Sequence, residues 1–263
     1  MVLVDTHSHI YLPEFEKDRD EVVYNSSKQN VKYIFLPNID SSSVEDMLKL
    51  AKKYAGNIFP MMGLHPTSVE DDYEKELEKV ENWLEKEKFY AIGEIGLDYY
   101  WDTTFKQEQI FAFEFQLKLA LKYNLPAIIH VRNAFDDAID IINKPEFNNL
   151  TGIFHCFTGT LEQANKIIQK GFKLGIGGVV TFQKSGLDKV VKEIDLNNIV
   201  LETDSPYLSP EPKRGKRNES TYLYYIAKKI AEIKNISIDD VAKITTKNAC
   251  EIFKMELIPK ASL

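Results

Sequence analysis

Cysteine is nearly absent from this 263-residue chain. Cys156 and Cys250 are too few for a disulfide framework or for a zinc site built on thiolates. No apolar run is long enough to cross a membrane, and no signal peptide precedes the first apolar segment, so the expected location is the cytoplasm. Cationic residues are the minority: 33 Lys and Arg against 40 Asp and Glu leave a net charge of −7. That balance argues against a general binder of nucleic acid, and a polyanionic substrate would need a local field opposing the global one. No low-complexity tract, long linker or break in composition divides the chain, which reads as one domain over residues 1–263. Nothing in it implies an obligate protein partner.

What is present is a repeated pattern. Hydrophobic residues make up 44% of the chain, enough for a large core. Short runs that are apolar on both faces lie at 2–9, 33–38, 58–64, 90–97, 126–131, 152–157, 172–180 and 199–204. Runs of this kind suit parallel strands covered by helices. Charged, amphipathic stretches of helical length separate them. Ser42-x-x-Glu45, Thr104-x-x-Gln107 and Thr160-x-x-Gln163 each fit a capping box, and Gly56 and Gly171 fall where helices stop. A further helical region spans about 237–253. Eight strand–helix units in this length predict an α/β fold of the (β/α)₈ TIM-barrel type with an extra C-terminal helical region. The rival is an open doubly wound sheet, against which the first strand-to-helix turn has no G-x-G-x-x-G.

The five histidines are His7, His9, His65, His130 and His155, and each lies at or just past the C-terminal end of a proposed strand. In a barrel that end is where active sites are built. His7 and His9 are two apart, a spacing that turns strand side chains the same way, and Asp5 shares their parity and is placed to orient a ring. Two more strand ends carry acids, Glu94 with Asp98 and Glu202 with Asp204. Four histidines and two carboxylates exceed the three protein ligands usual for one catalytic zinc. They fit two divalent ions roughly 3.5–4 Å apart, with Glu94 as the bridge because its side chain reaches furthest. Such ions lower the pKa of bound water from 15.7 to about 7, which makes hydroxide available at neutral pH. Histidine mixed with carboxylate suits zinc, magnesium, manganese or iron to differing degrees.

These motifs are Asp5-Thr6-His7-Ser8-His9, Gly63-Leu64-His65-Pro66, Gly93-Glu94-Ile95-Gly96-Leu97-Asp98-Tyr99-Tyr100, His130-Val131-Arg132, His155-Cys156-Phe157-Thr158-Gly159 and Glu202-Thr203-Asp204-Ser205-Pro206-Tyr207. Together they closely resemble the TatD family of metal-dependent deoxyribonucleases, within the amidohydrolase-like barrel superfamily. The resemblance implies that His7, His9 and Asp204 hold one metal and His130 and His155 the other, with Glu94 between them. It implies that Asp204 helps deprotonate the attacking water and that His65 touches the scissile phosphate or the leaving group. It also implies cleavage of DNA phosphodiester bonds by metal-bound hydroxide, as a 3′–5′ exonuclease on single strands. Related amidohydrolases often bridge their metals with a carboxylated lysine, and strand five has no lysine to supply one. Ser220 stands where the family often has proline.

Parity and charge add further candidates. Glu202 faces the interior with Asp204, to accept from a ligand histidine's free ring N–H or a water, or else to pair elsewhere in the barrel. Arg132 shares the parity of His130, to grip a phosphate oxygen or to pair with a rim acid. Lys213, Arg214 and Arg217 follow a proline-dense stretch on the rim, as substrate contacts or as a solvated charge run. Tyr99, Tyr100 and Trp101 either stack bases of single-stranded nucleic acid or pack on the rim. Two other functions keep the same residues. One is ester or amide hydrolysis, for example by a D-aminoacyl-tRNA deacylase. The other is a non-catalytic binding scaffold, which would be expected to have lost ligands; none is missing.

Overall fold

A computed structural model describes residues 1–256. Its strands are β1 (Leu3–Asp5), β2 (Val31–Leu36), β3 (Ile58–Pro60), β4 (Ile92–Asp98), β5 (Ala127–Arg132), β6 (Gly152–Phe154), β7 (Lys173–Ile176) and β8 (Ile199–Leu201). The helices are α1 (Arg19–Lys28), α2 (Val44–Lys53), α3 (Tyr73–Lys86), α4 (Lys106–Tyr123), α5 (Phe135–Ile142), α6 (Leu161–Gln169), α7 (Leu187–Glu193), α8 (Leu223–Lys234) and α9 (Ile238–Phe253). All strand pairs are parallel, and each strand lies beside its neighbours in sequence, in runs β1–β3 and β4–β8. Two seams close the ring. Between β3 and β4, Met62 pairs with Ile92 and Gly93 N–H donates to Met62 O at 2.8 Å. Between β8 and β1, Thr6 N–H donates to Leu201 O at 3.0 Å and Ser8 pairs with Ser205. The fold is the (β/α)₈ TIM barrel.

Side chains alternate across each strand, so one set fills the barrel and the other meets the helices. Val4, Phe35, Phe59, Ile128, Ile153 and Val200 form the inner cluster. Its lower end is closed by Ala249, Ile252 and Phe253 of α9, with Phe253 stacked on Phe35 at 3.6 Å. Asn248 holds α9 there by donating to Leu196 O at 2.8 Å and Ile199 O at 2.7 Å. Burying one such aromatic contributes about 1.5–3 kcal/mol. The extra C-terminal helix is thus the floor of the barrel, which leaves the opposite mouth for chemistry.

Two local expectations change. The helices expected to be capped by Ser42 and Thr104 start one residue later than those caps require, at Val44 and Lys106, with Ser43 and Phe105 in the cap position. In each case an aspartate two positions upstream supplies a better acceptor. Ser42 donates to Asp40 Oδ1 and Thr104 to Asp102 Oδ1, through both backbone and hydroxyl. Only Thr160 with Gln163 forms the capping box. The first strand also ends at Asp5, so His7 and His9 are aligned by the Ser8–Ser205 bridge rather than by a strand's pleat.

Candidate active site

Glu94 sits in β4 within an irregularity of register between Ile92 and Ile95, a feature that re-aims side chains next to active sites. Its carboxylate is buried at the centre of the mouth and divides the histidines in two. Oε2 lies 3.0 Å from His7 Nε2 and 3.4 Å from His9 Nε2, and both nitrogens lie within 3.8 Å of Asp204 Oδ1. Oε1 lies 2.8 Å from His155 Nε2, 2.9 Å from His130 Nδ1 and 3.1 Å from His65 Nε2. Residues from six strand ends, as far apart in sequence as His7 and Asp204, meet here.

The surrounding groups decide which nitrogen of several rings carries a proton. Tyr11 donates its hydroxyl hydrogen to Pro37 O at 2.7 Å, so toward His9 Nδ1, 3.0 Å away, it can only accept. His9 therefore holds its proton on Nδ1 and turns a lone pair toward Glu94. Asp98 accepts from His130 Nε2 at 3.0 Å and leaves Nδ1 facing the cluster. His65 is opposite in sense. Thr67 N–H donates to its Nδ1 at 3.1 Å, so the neutral ring carries its proton on Nε2 and donates to Glu94. In that form it is a donor toward the cluster. Sequence reasoning missed Tyr11 and Thr67 and gave Asp98 no role, although Tyr11 stands two residues past His9 and Asp98 four past Glu94.

Asp5 was expected to orient a ring. Instead Oδ1 accepts from Thr203 N at 2.9 Å and His7 N at 3.4 Å, and Oδ2 from Thr203 Oγ1 at 2.6 Å. It clasps the two chain segments that carry His7 and Asp204. Glu202 accepts from Cys156 N at 2.6 Å and lies 3.6 Å from His155 Nδ1, so it holds the backbone beside a cluster histidine more firmly than the ring. Gly175 makes room for it: a Cβ there would collide with Glu202 Oε2 and stand 3.0 Å from His155 Cα. Cys156 (φ 44°) and Asp204 (φ 57°) both adopt the left-handed conformation that costs non-glycine residues energy and concentrates at functional sites.

The electrostatics fit bound cations. Burial favours the neutral carboxyl of Glu94, but His155, His65 and His7 outweigh it and hold the group well below the usual carboxylate range. Burial pushes Asp204 up to about 6 and Asp5 to about 7. Burial also lowers His7 and His65, whereas at His130 and His155 it is overridden, by Asp98 and Glu94 at the first and by Glu94 and Glu202 at the second. In a neutral His9 ring protonated on Nδ1, no proton lies between its Nε2 and Glu94 Oε2. The bare nitrogen and the carboxylate repel unless a cation sits between them. Three sets of nearby donors have the composition of metal sites: His7, His9 and Glu94; His7, His155 and Asp204; and His65, Glu94 and His130.

A cavity of about 620 Å³ opens over the cluster, walled by Trp101, Val179, Tyr207 and Leu208. Arg132 lines it, held 3.5 Å above the Tyr100 ring. Tyr99 packs on the rim and donates to Asp137 at 3.0 Å, while Tyr100 and Trp101 are exposed. Lys213, Arg214 and Arg217, expected as substrate contacts, do not line this cavity. Arg217 is bound to Asp18 at 2.6 Å, Arg214 lies over Phe182, and Lys213 faces a groove beside Tyr222. Among the described residues no helix is long and apolar enough to cross a membrane.

A parallel barrel whose C-terminal mouth gathers histidines around one shared carboxylate defines a class, and comparison with known proteins places the chain within it. The chain belongs to the TatD related DNase family, whose model matches residues 4–254. It is 38% identical to a Bacillus subtilis protein named an uncharacterized metal-dependent hydrolase, YabD, over 97% of this chain and all of that one. A Methanocaldococcus jannaschii protein described in the same terms, MJ1582, is 36% identical over 97% of this chain and 98% of its own. The crystal structure of YJJV, a TatD homolog from Escherichia coli, superposes with a TM-score of 0.91 at 28% identity, covering 97% of this chain and 98% of that one.

Proposed function

We propose that the protein hydrolyses phosphodiester bonds in DNA with two divalent cations, zinc, magnesium or manganese, removing nucleotides from the 3′ end of single strands in the cytoplasm. The observation that carries this reading is the division of the histidines by Glu94, Oε2 serving one group and Oε1 the other. His7, His9 and Asp204 would hold one ion and His130 and His155 the second, with Glu94 shared. Bound ions would make water a nucleophile at neutral pH and offset charge on the phosphate oxygens. Asp204, whose Oδ1 lies within 3.8 Å of His7 and His9 Nε2, is placed to accept the proton that water loses. His65 directs an N–H at the cluster and can give a hydrogen bond to a phosphate or leaving-group oxygen. The family's description supports DNA as substrate, and the relatives' names support metal-dependent hydrolysis.

The test is metal analysis of the purified protein joined to cleavage of a labelled single-stranded oligonucleotide by wild type and Glu94→Ala. The variant should stay folded and lose more than the roughly 10–100-fold typical of groups that only support a metal ligand. A D-aminoacyl-tRNA ester assayed alongside decides the bond: preference for the ester would overturn the DNA reading. Metal uptake with neither activity would favour a binding scaffold.

A further inference from the structure

Of the chain's four arginines, Arg132 has no hydrogen-bond acceptor or carboxylate partner among the described residues. Arg19 donates to the carbonyls of Ile10, Tyr11 and Leu12. Arg217 is tied to Asp18, and Arg214 comes within 4.0 Å of Glu211. Arg132 rests against rings instead, 3.5 Å from the centre of Tyr100 and 5.2 Å from that of Trp101. A ring face holds the cation but takes up none of its in-plane N–H donors.

Arg132 also stands at a partition. It and Thr158 line both the cavity over Glu94 and a neighbouring one of about 710 Å³. The second cavity is walled by Tyr100, Lys106, Asn133 and Thr160. Its two acids are engaged: Asp137 by Lys106 and by the Tyr99 hydroxyl, each at 3.0 Å, and Asp136 by Gln163 Nε2 at 3.0 Å. Among the described residues the guanidinium stands between the two spaces with none of its N–H donors taken up. A planar fork of free donors suits phosphate oxygens.

Building on the phosphodiester reading above, we infer that Arg132 binds the phosphate next to the scissile one, and that the second cavity takes the nucleotide attached to it. Tyr100, half exposed on the rim, is available to that nucleotide's base. The substrate is then recognised as a chain carrying at least two phosphates, and a lone diester fills only the metal cavity.

The test compares three substrates with the metal-loaded full-length enzyme: the dinucleotide TpT, and the same molecule with one further phosphate at its 5′ or its 3′ end. For wild type, one of the phosphorylated forms should exceed TpT in kcat/KM by about tenfold or more, mostly through KM. In Arg132→Gln that ratio should fall to near one, and Arg132→Lys, which keeps charge but loses the fork, should recover part of it. Tyr100→Ala, whose side chain makes no hydrogen bond among those described, should lower the ratio by releasing the arginine, and it carries the test should Arg132→Gln fail to fold. Equal kcat/KM on all three substrates overturns the inference while leaving DNA cleavage standing, and so does an unchanged ratio in a folded Arg132→Gln. Failure to cleave any diester or longer DNA would instead remove the phosphodiester reading, and this inference with it.

Discussion

Among single residues, Tyr11 matters beyond its place in the packing. Its hydroxyl has one hydrogen, which Pro37 takes, and so His9 must keep its proton on Nδ1. Tyr11→Phe should weaken cation binding by about 10–100-fold, the usual effect of removing a partner that fixes a ligand's orientation. Metal titration followed by calorimetry measures it, and unchanged affinity would show that the tautomer is set elsewhere. The five histidines were legible because each sits at a strand end, where a barrel places its chemistry. Their supports were less so. Tyr11 shares the two-residue spacing of His7 and His9, and Asp98 lies on the strand of Glu94. The role of each depends on a partner brought from another segment, such as the Pro37 carbonyl or the His130 ring.

Among elements, the rim loop after β8 departs most from expectation. Its basic residues read from sequence either as substrate contacts or as a solvated charge run, yet Arg217 bonds to Asp18 and to the carbonyl of Glu14 and fastens the loop to the segment before α1. Charge alone could not distinguish the two outcomes, because the deciding carboxylate lies about 200 positions away. The hydrogen bond from Arg217 holds the Asp18 carboxyl below its usual range, so the folded chain binds that proton less tightly than the unfolded one. The contribution is therefore present above about pH 3.9, the ordinary aspartate value, and is lost as pH falls through the depressed one. Arg217→Ala should cost about 0.2–1 kcal/mol at neutral pH, as for other partly exposed pairs, and the gap should narrow in acid. Thermal unfolding of both proteins at pH 7 and pH 3 would check this, and a gap that widens in acid would contradict it. The capping residues teach a similar lesson: Ser42 and Thr104 matched a motif, but Asp40 and Asp102 nearby offered stronger acceptors.

For the molecule as a whole, burial of a cluster rich in carboxylate and imidazole ties stability to cations. Ions that bind only the folded chain stabilise it by about 2.7 kcal/mol at a hundredfold excess over Kd. Chelation should therefore lower the unfolding midpoint of wild type by several degrees, at roughly 2–4 °C per kcal/mol for a chain of about this size. Glu94→Ala should show little of that shift, and equal shifts in both would place the cations elsewhere. The sequence by itself determined the eight strand–helix units, since hydrophobic period and turn signals are local, and it marked the histidines and acids at the strand ends. Tertiary structure alone decided which nitrogen of His9 and of His65 faces Glu94, that Arg132 has no acceptor among the described residues, and that α9 closes the floor. Each of these depends on distances between segments remote along the chain, and such distances exist only once the barrel has closed.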